Sequence, residues 1–361
     1  MQPINLKGIT LLLTAISYLL TTNAAIAQKS SFPSEDYVTQ KMDALMANSD
    51  LPALVAIAIN SSGEKIAYTY GHAIWGTDSP IETNNIFRIA SMTKLLTSIA
   101  ALQLVEQDLI ALDEDLSKFV PEMADIPILT REKELINGEI PITLRHLLTH
   151  TSGFGYFFTD SLLATHNQAD WEYEDLPRRF EAGTQFLYGT STTWAGKLVE
   201  RISDMSLEEY FRKHLTGPLE MERTWFNVPD SLKEEIVSYG RRGDDGTEQL
   251  VEIPNRIPKN KVKTFNGGGG LFSSPEDYAK LLSCLLNDGE HQNGRILEKQ
   301  TIDEMFKPQL KDISMDISDN YYLKGMCCDF RGLVKPTANW GLAGLIDTET
   351  TSYGREKGTL L

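Results

Sequence analysis

Cysteine is scarce in this 361-residue chain, and the three present, Cys284, Cys327 and Cys328, exclude a disulfide-stapled secreted domain. The count is odd, and two of the three are vicinal, a pair that bonds only with backbone strain. All three read as small packing residues. Positive charge is also short: 34 Lys and Arg against 50 Asp and Glu leave a formal net charge of −16. That balance repels phosphate backbones and anionic membrane surfaces, so no nucleic-acid partner is expected. No apolar run reaches the roughly 20 residues of a membrane span. No Gly-x-Ser-x-Gly elbow occurs, which argues against a Ser-His-Asp α/β hydrolase. Internal repeats and low-complexity tracts are absent as well.

Two further patterns come to little. The glycines at 267–270 are not followed by Gly-Lys-Ser/Thr, so they read as a tight, close-approach turn and not a phosphate cradle. His146 and His150 in "HLLTH" stand one helical turn apart, as zinc ligands would. Leu147 occupies the place of a zincin's glutamate, and the stretch reads as a packed helix ending at Thr151-Ser152-Gly153. No metal and no cofactor is expected.

What is present is enough apolar residue, 41% of the chain, to bury a core for one large domain or two intimately packed ones. The first 27 residues have a lone Lys7, an apolar stretch over 9–20 and Ala25-Ile26-Ala27 before Gln28, the layout of a secretory signal peptide. The expectation is export to a periplasm or extracellular space, with secreted material starting near Gln28 and keeping no membrane span. Ser34 then caps a surface helix, and "PALVAIAIN" and "KIAYTYGHA" flank Ser61-Ser62-Gly63-Glu64 as a β-hairpin. Residues 92–112 are apolar on most faces, which describes a helix at the centre of a domain. Helical patterns dominate from 144 to about 219, with "SLEEYFRKHL" clearly amphipathic. Ser274, Pro275 and Asp277 open another helix. Strand-like "YYLKGMCCDF" and "NWGLAGLID" come late. The economical topology is an α+β domain over 28–361. Its antiparallel sheet is drawn from about 34–90 and 265–361, flanked by helices, with an all-helical insert over about 95–260.

"FRIASMTK" puts Ser91 and Lys94 at i and i+3 where the central helix begins, so their side chains can meet. A cation in a first helical turn opposes the amide dipoles, so Lys94 is misplaced for stability alone. Serine is a nucleophile only when a base takes its proton, and lysine can be that base only if its pKa falls far below about 10.4. The helix end and burial among Ile89, Ala90, Met92, Leu95 and Leu96 push it that way. The same helix end would offer N–H groups to an oxyanion. Ser62 and Lys65 repeat the spacing in a solvated turn, where nothing depresses the lysine. Trp171, Tyr173, Trp194 and Trp225 are either walls of an acyl pocket or ordinary core.

"FRIASMTKLLTSIAALQLVEQDLIALDEDLSKFVPE", "TLRHLLTHTSGF", "YGTSTTWAGKLVERISDMSLEEYFRKHLTGPLEMERTWF" and "FNGGGGLFSSPEDYAKLL" together resemble the β-lactamase-related serine hydrolases, in matching order from about residue 35 onward. That group holds class C β-lactamases, D,D-peptidases and carboxylesterases, and Ser-x-x-Lys is a signature of the wider superfamily. The resemblance implies that Ser91 is the acylated nucleophile, Lys94 its partner base and Tyr188 the second-motif tyrosine, which relays a proton between Ser91 and the leaving group. Tyr188-Gly189-Thr190 departs from the lactamases' Tyr-x-Asn and is closer to the esterase branch. The expected activity is acyl transfer to water, most readily from carboxylic esters. β-Lactams, D-amino-acyl peptides and a non-catalytic cell-wall-binding role are the alternatives. The family's third motif, Lys/His-x-Gly or Trp-x-Gly, has no clear match. Trp340 in "WGLAG" reads as part of the preceding strand, and the motif is expected on a strand beyond it. On that reading the 361 residues stop short of a complete hydrolase and would be poorly soluble and nearly inactive alone.

Overall fold

The computed structural model describes residues 32–166, 175–242, 250–254, 256–315, 337–352 and 354–361. Residues 1–31, Trp171, Tyr173, Cys327, Cys328 and "YYLKGMCCDF" lie outside the described residues. Helix α1 (Glu35–Met46) starts where the Ser34 hydroxyl accepts the Tyr37 N–H. Strands β1 (Ala53–Ile59) and β2 (Lys65–Gly71) pair antiparallel from Ala53↔Gly71 to Ile59↔Lys65. The Asn60 side chain closes their turn by accepting the N–H groups of Ser62 and Glu64.

The central helix α2 (Thr93–Glu106) is buried at Thr93 and Lys94 and continuously from Leu96 to Leu104, as its all-round apolar pattern requires. Against it pack α3 (Ser191–Ser203) and α4 (Leu207–Phe211). Leu96, Ile99, Leu198, Val199 and Leu207 are all fully buried there, each stabilising the fold by about 1.5–3 kcal/mol. The α4 cap is a reciprocal Ser206–Glu209 box. Helix α5 (Pro275–Leu286), capped by Ser274, covers β1, and Lys65 ties to it through Glu276 at 2.5 Å. Cys284 on α5 is buried, with its thiol pushed up to about 11 by desolvation.

Pieces far apart in sequence meet beside α2: β3 (Phe87–Arg88) pairs antiparallel with β4 (Phe272–Ser273), and Phe272 bridges to Trp225. Hairpin β5 (Asn339–Trp340) and β6 (Leu345–Ile346) follows, and Leu345 exchanges both backbone bonds with Leu361. Two features differ from the expectation. Among the described residues the strands form separate two-stranded ladders and not one continuous sheet. The helical insert is interrupted by short antiparallel ladders, Ile128–Leu129 with Leu135–Ile136 and Gly240–Arg242 with Leu250–Glu252. Among the described residues no helix is long and apolar enough to cross a membrane.

Candidate active site

Ser91 does not lie in α2 itself but in a 3₁₀ turn, Ala90–Met92, that leads into it. The preceding Ala90 has φ +43, a left-handed conformation that disfavours any residue with a Cβ. Such strain costs on the order of 1–3 kcal/mol and persists only where neighbours over-determine it. The bonds from Ile89 N–H to Leu271 O and from Met92 N–H to Ile89 O do so here. The turn leaves Ser91 exposed at the surface while Lys94, three residues on, is only 5% exposed.

The source of that burial is a correction to the sequence reading. Ala90 is exposed and Met92 is 48% exposed, so they do not cover the lysine. Two tyrosines and a glycine carbonyl do. Lys94 Nζ stands 3.2 Å from Ser91 Oγ, 3.2 Å from Tyr156 Oη and 2.5 Å from Gly268 O. It also lies 4.9 Å from the Tyr188 ring centre. None of the ion pairs among the described residues involves it. Desolvation with no compensating carboxylate lowers its pKa from 10.5 to about 7. A neutral amine has two N–H donors and one lone pair. Gly268 O can only accept and takes one N–H, which leaves the lone pair for the Ser91 hydroxyl and the second N–H for the Tyr156 oxygen.

Tyr188 precedes α3 and has its pKa raised by burial, with Ser91 beside it opposing the rise, so it is a protonated phenol near neutrality. The structure thus brings Ser91, Lys94 and Tyr188 to one point. It leaves the repeat apart: Ser62 Oγ bonds Asn60 in an exposed turn and Lys65 pairs with Glu276. His146 and His150 also separate. His146 closes a capping box with Thr143, whereas His150, at φ +55, turns inward beneath Tyr188, their ring centres 4.6 Å apart. Among the described residues no His, Cys, Asp and Glu cluster could hold a metal.

Three groups packed around these side chains were not singled out as site residues from sequence: Tyr156, His150 and the carbonyl of Gly268. Tyr156 sits 62 positions from Lys94, a separation that carries no periodic signal. The glycine run left a trace, since it was read as a close-approach turn. A Cβ on Gly268 would meet Thr193 Oγ1 at 2.7 Å. Gly268→Ala is therefore expected to push the carbonyl off Lys94 and lower ester turnover by about tenfold, within the range for a displaced catalytic contact. An unchanged kcat/KM would show that this carbonyl does not hold the lysine. The tryptophan alternatives resolve toward the core: Trp194 stacks on Phe154 and Trp225 faces Arg212. Tyr156, stacked on Phe158, and Tyr188, beside Trp340, flank the lysine instead.

An exposed serine on a strained turn beside a buried lysine and a buried tyrosine is an arrangement suited to an active-serine enzyme. The family follows from comparison: residues 38–316 match the family described as Beta-lactamase, and the chain belongs to it. It is 32% identical over 342 residues to ML-236A carboxylate methylbutanoyltransferase mlcH of Penicillium citrinum, covering 85% of this chain and 78% of that protein. It is 33% identical over 254 residues to the lovastatin esterase of Penicillium rubens, covering 65% and 62% respectively. Simvastatin synthase (LovD) from Aspergillus terreus shares the fold with a TM-score of 0.76 at 26% identity, over 91% of this chain and 87% of that one. The chain is accordingly a serine hydrolase-type enzyme with a β-lactamase-like α+β fold.

Proposed function

We propose that this enzyme takes an acyl group from a small carboxylic ester onto Ser91 and passes it to water. The observation that carries the reading is the 3.2 Å contact of Ser91 Oγ with Lys94 Nζ, whose pKa burial lowers to about 7, with the Tyr188 ring 4.9 Å from the same nitrogen. Ser91 Oγ attacks the ester carbonyl carbon as its proton passes to Lys94 Nζ. The tetrahedral adduct collapses with the ester C–O bond breaking, and the departing alkoxide takes a proton from Tyr188, which the Lys94 ammonium restores. Water then attacks the acyl-serine, and the same groups return Ser91 to its hydroxyl form. The oxyanion is expected to take a backbone N–H of the turn that carries Ser91. The names of the relatives, one an acyltransferase and one an esterase, support ester chemistry with either an alcohol or water as acceptor.

β-Lactams are the weaker reading, because Gly189-Thr190 offers no asparagine amide after Tyr188. Short-chain p-nitrophenyl esters and nitrocefin offered separately to the purified chain test the choice. Ester turnover with nitrocefin left intact is expected, and faster lactam than ester turnover would overturn the assignment.

A further inference from the structure

His150 is a buried polar side chain that the chemistry above does not use, and it holds the backbone on both sides of Tyr188. It is 1% exposed and sits in the left-handed region just after a short helix (Leu144–Leu148). Its carbonyl accepts the Leu187 N–H at 2.9 Å. Its Nδ1 accepts the Gly189 N–H at 3.2 Å, which fixes the neutral tautomer with the proton on Nε2. Between those two bonds lies Tyr188, whose ring is 4.6 Å from the imidazole. Behind the imidazole stands Trp340, edge-on at 5.1 Å, itself anchored by Nε1 to Leu148 O. Gly189 is pressed into the same seat, since a Cβ there would meet Phe154 O at 2.2 Å.

From this two-point clamp we infer that His150 is the positioning residue for Tyr188, aiming its hydroxyl at Ser91 and at the leaving group. A helix end that merely needed a left-handed residue would be served by glycine or asparagine. A buried imidazole with a bonded ring nitrogen is a costlier choice, and its one ring attachment seizes the residue after Tyr188, where the backbone carbonyl of His150 already holds the residue before it. The inference rests on the reading of Tyr188 as proton donor to the leaving group, and it predicts a particular pattern of damage. Esters with an alkoxide leaving group need that proton, and esters with a nitrophenolate leaving group depart without it. A loss of Tyr188 aim therefore falls unequally on the two.

The test compares kcat/KM, which reports acylation, for a p-nitrophenyl and an ethyl ester of the same acid. The proteins are the wild type, Tyr188→Phe, His150→Phe and His150→Asn. Tyr188→Phe is expected to depress the ethyl ester about 10²-fold more than the nitrophenyl ester, the lower end of what a positioned proton donor contributes. His150→Phe, which removes the acceptor for Gly189 N–H, should show the same inequality. His150→Asn keeps a short acceptor and tolerates the left-handed backbone, so it should recover most of the ethyl-ester rate. If His150→Phe fails to fold, His150→Ala carries the same expectation. Equal losses on both esters for the His150 variants, or none, would overturn the positioning role while the Tyr188→Phe inequality stands. An absence of that inequality in Tyr188→Phe would overturn the proton-donor reading, and the inference with it.

Discussion

Ser91→Ala is expected to abolish covalent labelling by a fluorophosphonate probe and to lower short-chain ester hydrolysis by at least about 10³-fold, because without the nucleophile only positioning and oxyanion donors remain. The expectation is sharp because the turn that carries the hydroxyl does not depend on it for its own shape. Ser91 is exposed, and the neighbouring 3₁₀ turn is held by backbone bonds of Ile89 and Met92, not by the serine side chain. Deleting one oxygen there opens no cavity, so stability should move by no more than about 0.5 kcal/mol. Loss of activity in a fully folded variant would thus be chemical. Ser62→Ala is the matched control at the repeated spacing, where the hydroxyl contacts only Asn60, and it should leave labelling and rate unchanged. A Ser91→Ala protein that still labels at the wild-type rate would place the nucleophile elsewhere.

The meeting of Ser91 with Lys94 was legible because i and i+3 spacing at a helix start is a local feature, and the nearness of Tyr188 followed from motif resemblance. What buries Lys94 was not legible. Sequence neighbours such as Met92 suggested an apolar sleeve, yet Met92 faces solvent, while Tyr156 and Gly268, from two distant segments, supply the cover. Local patterns report which face of a helix is apolar and say nothing of which loop lands on it. The caps at Ser34 and Ser274 were readable for the opposite reason, since each satisfies donors within three residues. The short ladders inside the helical insert were missed because two or three residues are too few for an alternating pattern to stand out.

Lys94 yields the other large effect, and it runs in opposite directions for activity and stability. Activity requires the free amine, so kcat/KM should rise with pH through about 7 as Lys94 loses its proton. Tyr188, raised above its usual range, stays protonated throughout that interval. Lys94→Arg installs a cation that cannot be given up, and Lys94→Met removes the base; both should be inactive at every pH. Stability follows from linkage. The unfolded chain holds the lysine proton up to pH 10.5 and the folded chain only to about 7, so between those values the unfolded state binds more protons and wild-type stability rises with pH. Below pH 7 burial of the ammonium therefore costs on the order of 5 kcal/mol, at about 1.36 kcal/mol per pKa unit. Lys94→Met escapes that cost and loses the bond to Gly268 O, which is worth about 1–3 kcal/mol when left unmade. The methionine variant should accordingly melt higher than wild type at pH 6, with the difference shrinking as pH approaches 10. A wild-type protein more stable than Lys94→Met at pH 6 would mean that the buried ammonium is fully compensated. An arginine variant with substantial turnover would mean that another group accepts the proton of Ser91.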